Sequence, residues 1–373
     1  MVRILRYFSL TVLMTMLTLS LAAQTVKIGV MLPLHDENGD GRRMVEYYRG
    51  VLMACDSMKM TGMSIDVKAW NLAENANVNA VLSDPDAAKC DLIIGPLYSK
   101  QVKPLSDFVK RHDIKLMIPF SIEAPEVYQN RNIFQVYQNA NTYTEAVALR
   151  FVNLFKDYHP VIIDCHDNES TKGLFTSTLR RIMDNRSMTY NLTSLRSTEE
   201  QFARAFSTNQ SNVVVLNTAR LPQMIQAFTM MNKLRDQHPE LKITVMGYTE
   251  WMKYAKQHAD NFYKYDVYIP TNYFYNPLTS STKRIEQKYR WNFHEDMQES
   301  LPRMGITGFD HAQYFLRGLR RYSKQFTGEA GSVSYAAAQT PLQFSRIGNG
   351  GMQNHTLLFI HYMPERRIVI LDK

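Results

Sequence analysis

Hydroxyl-bearing turns follow two short apolar runs, Leu92–Ile94 and Lys115–Ile118. The first run leads into Gly95–Ser99, which reads Gly-Pro-Leu-Tyr-Ser, and the second leads into Pro119–Ser121, which reads Pro-Phe-Ser. Short apolar runs bounded by turn residues are typical of buried parallel strands. Ligands bind beyond the carboxyl ends of such strands, where helix N-termini attract anions. Either turn alone would be an ordinary tight turn, but two in succession predict a binding site for a small polar ligand.

The acidic stretch Asp36–Gly41 matches the first half of a calcium-binding loop, because oxygen-bearing side chains alternate along Asp-Glu-Asn-Gly-Asp-Gly. The twelfth position of such a loop needs a bidentate glutamate, and here it holds Tyr47. Arg42 and Arg43 add positive charge beside the loop. We therefore interpret the stretch as a polar loop at the edge of a cleft that caps the first helix, and we predict no metal site.

Other reactive residues form no catalytic pattern. Cys55, Cys90 and Cys165 are too few and too far apart for a disulfide scaffold or a zinc site, so we expect buried thiols, with a Cys55–Cys90 disulfide as the alternative. The pairs His294-Glu295 and Asp310-His311 lack the spacing that places two metal ligands on one helix face. Nucleophile elbows, phosphate-binding loops and dinucleotide-binding glycine patterns are missing from the sequence. The sequence therefore predicts a protein that is not an enzyme and needs no cofactor.

The N-terminal segment Met1–Ala23 has the features of a secretory signal peptide. Arg3 and Arg6 precede the apolar run Phe8–Leu21, and small residues follow it. A membrane anchor is the alternative, but this run is shorter than the roughly 20 apolar residues that span a bilayer and is interrupted by serine and threonine. We expect an exported protein, located in the bacterial periplasm.

Length and charge limit the number of domains and the class of binding partner. With 373 residues the chain exceeds one typical domain core, and its 45% hydrophobic content supports folding throughout. The formal net charge is +8, from 43 basic and 35 acidic residues. The basic residues are scattered rather than arranged in a stripe, so we predict no nucleic-acid partner.

Apolar runs and amphipathic segments alternate twice along the chain, which predicts an α/β fold with two doubly wound parallel-sheet lobes. In the first half, Val102, Leu105 and Phe108 recur at helical spacing between the two apolar runs that precede the turns. The alternation starts again after a helix predicted at Tyr143–Phe155. Two lobes without a flexible linker imply a hinge and a cleft between them.

Several of these features together resemble the type 1 periplasmic binding proteins, in particular the leucine/isoleucine/valine-binding, amino-acid ABC transporter group. The resemblance spans residues 24–373 and rests on the order of elements and on five short segments: Val26–Pro33, Asp91–Ser99, Lys115–Glu126, a helix start at Phe309–Ala312, and the tail Phe344–Gly350. It implies a first lobe of residues 24–141 plus 270–335 and a second lobe of residues 142–269 plus 336–373.

The resemblance also implies ligand-binding positions at the strand ends of both lobes. In the first lobe these are Tyr98, Ser99, Ser121 and Glu123, and in the second lobe Thr171, Arg220 and Glu250. Amino-acid binders of this family usually offer aromatic residues and one acid in the second lobe. Thr171 and Arg220 depart from that pattern, which leaves a more polar or anionic ligand open. We add Tyr273, because an aromatic-rich segment should re-enter the first lobe there and could stack on a ligand.

Two functions follow from these features. The first is an exported solute-binding protein that closes on a small polar ligand, such as an amino acid, and delivers it to an ABC transporter membrane component or a sensor. The alternative is a cell-envelope protein of the same fold that binds another envelope protein, for example as a regulator of peptidoglycan synthesis. An open cleft with convergent polar groups favours the first function, and a cleft filled by Phe120, Arg220 or aromatic residues favours the second.

Overall fold

The computed structural model describes residues 25–121 and 123–371, and the statements below concern these residues. The predicted signal peptide lies outside them. Within the described ranges, no helix combines the length and the apolar character needed to cross a bilayer.

The N-terminal half builds the first sheet. Its elements in chain order are β1 (Val26–Leu32), α1 (Gly39–Lys59), β2 (Ile65–Asn71), α2 (Val78–Leu82), β3 (Leu92–Ile94), α3 (Val102–His112), β4 (Lys115–Ile118) and β5 (Ile133–Gln135). The five strands pair in parallel in the order β5-β4-β3-β1-β2. All three residues of β3 are buried, as expected for a central strand with helices on both faces of its sheet.

The next part of the chain repeats this pattern in a second sheet. Its elements are α4 (Ala140–Leu154), β6 (His159–Asp164), α5 (Gly173–Asn185), β7 (Asn191–Ser194), α6 (Glu199–Ala203), β8 (Asn212–Leu216), α7 (Leu221–Gln237), β9 (Ile243–Met246), α8 (Ala259–Lys264) and β10 (Val267–Thr271). Its strands pair in parallel in the equivalent order, β10-β9-β8-β6-β7. The predicted fold class, α/β with two doubly wound lobes, is therefore confirmed.

The C-terminal part divides between the lobes, and here one prediction is wrong. Helices α9 (Ser280–Phe293) and α10 (Met304–Tyr322) pack on α1, and the strands that follow are β11 (Phe344–Arg346), β12 (Met352–Asn354), β13 (Leu358–Met363) and β14 (Arg367–Leu371). We predicted all of residues 336–373 in the second lobe, but β11 and β12 extend the first sheet and only β13 and β14 extend the second. The reason is packing, because the Phe344 ring lies 5.5 Å from that of Phe134 on β5.

Helix α10 begins at Met304, so the segment Phe309–Ala312 lies inside the helix and not at its start as predicted. Two glycines in its first turns, Gly305 and Gly308, obscured the helix in the sequence, because glycine disfavours helix interiors. Their role is a close helix crossing. A Cβ atom on Gly308 would lie 2.0 Å from the carbonyl oxygen of Tyr47 on α1, and a Cβ atom on Gly50 would lie 2.0 Å from the carbonyl oxygen of Gly305.

The three cysteines are buried and unpaired, which confirms the expectation of free thiols. Burial raises the pKa of each thiol to about 12, so each one stays protonated at neutral pH.

We predict that Gly50→Ala lowers the free energy of unfolding by about 1–3 kcal/mol or more, because the added methyl group forces α1 and α10 apart. Gly173→Ala is the matched control, since a Cβ atom at this helical position meets nothing within 4 Å. Urea denaturation monitored by circular dichroism measures both variants. Equal stability of the two variants would show that the crossing does not require glycine.

A second prediction concerns pH. Inside the crossing, His311 Nδ1 lies 2.9 Å from the Tyr47 hydroxyl, and burial lowers the pKa of His311 from 6.5 to about 3. The folded state therefore keeps this imidazole neutral, whereas the unfolded chain takes up a proton below its ordinary pKa. Stability from this residue is complete above pH 6.5 and is lost as the pH falls towards 3, with about 2 kcal/mol lost by roughly pH 5.

In His311→Gln, the side chain still offers Tyr47 a polar partner but does not titrate. As the pH falls in mildly acidic buffer, the free energy of unfolding of wild type should therefore decrease by up to about 1.4 kcal/mol more per pH unit than that of the variant. Urea denaturation across this range measures the difference. Identical slopes for the two proteins would contradict a neutral buried His311.

Candidate functional site

The two predicted strand-end turns of the first lobe meet in the structure. Ser99 begins a short 3-10 turn that leads into α3, and Ser121 follows β4. Their hydroxyl oxygens lie 2.6 Å apart. Ser121 is 5% exposed and donates to the carbonyl oxygen of Glu123, whereas Ser99 is exposed. Because a hydroxyl group can rotate its proton, Ser99 can donate either to Ser121 or to a ligand oxygen in front of the turn.

Tyr98 and Glu123 flank this hydroxyl pair. The Tyr98 hydroxyl lies 3.4 Å from Asp40 Oδ2, and burial together with that carboxylate raises the pKa of Tyr98. The side chain of Glu123 is exposed. Asn38, in the same loop as Asp40, caps α1 by accepting a hydrogen bond from the Gly41 amide at 2.8 Å. The loop thus caps the first helix, as we interpreted it from the sequence.

The second lobe carries a pocket of about 220 Å³ between the first turns of α4 and α5 and the carboxyl ends of β9 and β10. Two predicted residues, Thr171 and Glu250, line it, and so does Lys172, which we did not predict. Lys172 Nζ lies 2.6 Å from Glu250 Oε1 and 5.1 Å from the centre of the Tyr248 ring. The sequence could have indicated an acidic partner for Lys172, because a lysine next to the start of a helix is unfavourable without a compensating acid.

The remaining lining of this pocket combines hydroxyl groups with apolar walls. The apolar part comes from residues of several elements, among them Val147, Phe175 and Met246. Burial raises the pKa of Tyr143 above its ordinary value, and a hydrogen bond with Thr249 opposes this shift. A largely apolar pocket with a few polar groups suits a small molecule that has both a charged end and an apolar body.

Two predicted residues, Arg220 and Tyr273, lie neither beside the hydroxyl pair nor in the pocket. Arg220, the residue before α7, pairs with Asp167 at 3.1 Å and with Glu169 at 2.5 Å. Because the side chain of Asp167 is only 3% exposed, its carboxylate holds the guanidinium group in place. Tyr273 is 6% exposed and belongs to the core of the second lobe. Neither arrangement could be read from the sequence, since each depends on partners distant in the chain.

An aromatic cluster lies next to the hydroxyl pair in the first lobe. The Phe120 ring lies 5.2 Å from Tyr47 and 6.2 Å from Tyr137. Burial raises the pKa of Tyr137 to about 12, and Tyr137 lies close enough to Tyr143 and Tyr273 of the second lobe to raise their pKa values further. Tyr137 of this cluster therefore lies near tyrosine side chains of the second lobe.

Comparison with known proteins bears on the fold. No family model matches the sequence, and no curated protein matches it at a significant level. Solved structures do match over almost the whole chain. One from Rhodospirillum rubrum, assigned to a branched-chain amino acid ABC transporter, is 11% identical, covers 93% of this chain and 100% of its own, and has a TM-score of 0.65.

Two further structures give the same result. A branched-chain amino acid ABC transporter periplasmic ligand-binding protein of Burkholderia xenovorans is 12% identical over 93% of this chain and 94% of its own, with a TM-score of 0.56. An ABC transporter substrate-binding protein of Sphaerobacter thermophilus is 11% identical over 94% and 97%, with a TM-score of 0.54. At this identity the similarity concerns the fold, and it confirms the resemblance seen in the sequence: the chain has the two-lobe α/β fold of the type 1 periplasmic binding proteins.

Proposed function

We propose that this protein is a solute-binding protein that closes on a small polar ligand, an amino acid or a related compound, in the cleft between its lobes. The observation that carries the proposal is the placement of polar groups at the carboxyl ends of the strands in both lobes. The first lobe presents the Ser99–Ser121 hydroxyl pair, and the second presents Lys172 and Glu250 in an otherwise largely apolar pocket.

A zwitterionic ligand suits this arrangement. Its carboxylate can pair with Lys172 and its ammonium group with Glu250, while the apolar wall of the pocket takes its side chain. The ligand must break the Lys172–Glu250 ion pair, in which the two side chains are 21% and 47% exposed. An ion pair at this exposure contributes only about 0–1 kcal/mol, so exchanging it for two pairs with a ligand costs little.

The remaining parts of the proposal rest on the sequence and on analogy. The signal-peptide features of residues 1–23 support export to the bacterial periplasm. Two solved structures with this fold are assigned to branched-chain amino acid ABC transporters, which by analogy suggests an ABC transporter membrane component as the partner. Hinge motion between the lobes would then bring the hydroxyl pair onto a ligand held by the second lobe.

One observation favours a second function. The Phe120 ring contacts Tyr47 and Tyr137 next to Ser121, so aromatic side chains occupy space on the first-lobe side of the cleft. In this second proposal the protein binds another cell-envelope protein, for example as a regulator of peptidoglycan synthesis, and uses its surface in place of the cleft.

Ligand-dependent stability tests the first proposal. Residues 24–373 are unfolded and refolded to remove bound ligand, and thermal unfolding is measured with amino acids, short peptides, nucleosides and muropeptides. A ligand at about 100 times its dissociation constant adds roughly 2.7 kcal/mol of stability. Glu250→Gln and Ser99→Ala should each weaken binding by about tenfold or more, because the first removes the negative charge that pairs with the ligand ammonium group and the second removes a hydroxyl donor to the ligand.

Matched controls come from exposed residues outside the pocket and the hydroxyl pair. Glu240→Gln and Ser177→Ala make the same chemical changes on the surface of the second lobe and should leave binding intact. The proposal is wrong if no compound in the panel raises the midpoint, or if Glu250→Gln binds as well as Glu240→Gln. The first of these outcomes would direct attention to the envelope-protein function.

A further inference from the structure

Three basic side chains line an open groove of about 390 Å³ on the first lobe, away from the pocket of the second lobe. The groove lies between α1, α9, α10 and the chain that follows α10. Arg284 and Lys288 are one helical turn apart on α9, and Arg317 comes from α10. The other polar lining residues are Ser57, Ser281, Gln313 and Tyr335.

These three side chains have no acidic partner at ion-pair distance within the described part of the chain. No aspartate or glutamate lines the groove, and none of the three forms an ion pair with a described residue. Each donates instead to a neutral oxygen: Arg284 Nε to the Ser280 carbonyl at 3.3 Å, Lys288 Nζ to the Met53 carbonyl at 3.3 Å, and Arg317 Nε to Gln313 Oε1 at 3.1 Å. Like charges around one concave surface repel each other, and a bound anion would remove that repulsion.

Arg317 is held in position before any ligand arrives. Gln313, which is 2% exposed, fixes Nε of its guanidinium group, and the Tyr335 ring lies 5.3 Å from the guanidinium carbon. The carboxylate behind Tyr335 belongs to Asp310, which already accepts four hydrogen bonds, from the Tyr335 hydroxyl and from the amides of residues 338–340. That acid is saturated by its own donors and is not part of the groove lining.

We propose that this groove binds a phosphate group. Guanidinium groups donate two parallel hydrogen bonds to phosphate oxygens, the lysine adds a point charge, and the serine hydroxyls add neutral donors. The groove is larger than a phosphate ion, so the group is carried on a larger molecule, either a soluble phosphate ester or a lipid headgroup. The full sequence has a net charge of +8, and residues 24–373, which lack Arg3 and Arg6, are still net positive and attract such a ligand from solution.

The phosphate site does not depend on the proposed solute-binding function, because no residue that lines the second-lobe pocket also lines the groove. Failure of one proposal therefore leaves the other standing.

Calorimetric titration of the refolded protein with glycerol phosphate tests the proposal. A titration with sodium chloride of equal ionic strength is the reference. Wild type should bind saturably, and the double variant Arg284→Ala, Lys288→Ala should bind at least about tenfold more weakly, since it loses two charge-assisted contacts. The matched control is Lys283→Ala, Arg290→Ala. It removes two charges from exposed positions of the same helix that do not line the groove, and it should bind like wild type.

Thermal midpoints in sodium chloride alone show whether each variant is folded. Removing two mutually repelling charges should not lower the midpoint of the groove variant. A second arm uses sedimentation with phosphatidylcholine vesicles that contain phosphatidylglycerol. Vesicle binding that disappears in the groove variant identifies a lipid headgroup as the source of the phosphate, and binding of glycerol phosphate alone identifies a soluble ester. The proposal is overturned if wild type shows no saturable binding in either arm, or if the groove variant and the control bind equally well.

Discussion

The close crossing of α1 and α10 is the constraint on which the arrangement of the first lobe depends. Gly50 and Gly308 let the two helix backbones touch, which places Tyr47 of α1 against the Phe120 ring beside the strand end that carries Ser121. On α10, the buried Asp310 carboxylate accepts hydrogen bonds from the amides of residues 338–340, in the chain that leads into β11 of the first sheet. This helix contact thus positions both a candidate ligand-binding hydroxyl and the chain that leads into β11.

The two polar regions of the molecule differ in how their charges are balanced. In the pocket of the second lobe, Lys172 and Glu250 neutralise each other, so this pocket suits a ligand that carries both charges. In the groove on the first lobe, Arg284, Lys288 and Arg317 have no acidic partner among the described residues, so that surface suits a ligand with negative charge alone. The two proposals therefore assign a zwitterion and a phosphate to different sites, the first to the second-lobe pocket and the second to the first-lobe groove.

Much of the fold could be predicted because parallel strands are short apolar runs between amphipathic helices, and the Ser99–Ser121 contact followed from the adjacency of β3 and β4. Features that depend on distant partners could not be predicted. Arg220 is held by acids on another loop, and the placement of β11 depends on packing of Phe344. Lys172 was overlooked because its counter-charge comes from another loop of the same lobe.

The central claim is that a small solute is held between the two lobes. Small-angle X-ray scattering tests it most directly, by comparing the radius of gyration of ligand-free protein with that of protein saturated by a compound that raises its thermal midpoint. We predict a smaller radius of gyration with the ligand, because hinge closure brings the second lobe onto the first. At a ligand concentration near the wild-type dissociation constant, the decrease should be much smaller in Glu250→Gln than in wild type. An unchanged radius in wild-type protein, with binding verified by calorimetry, would contradict closure of the lobes around the solute.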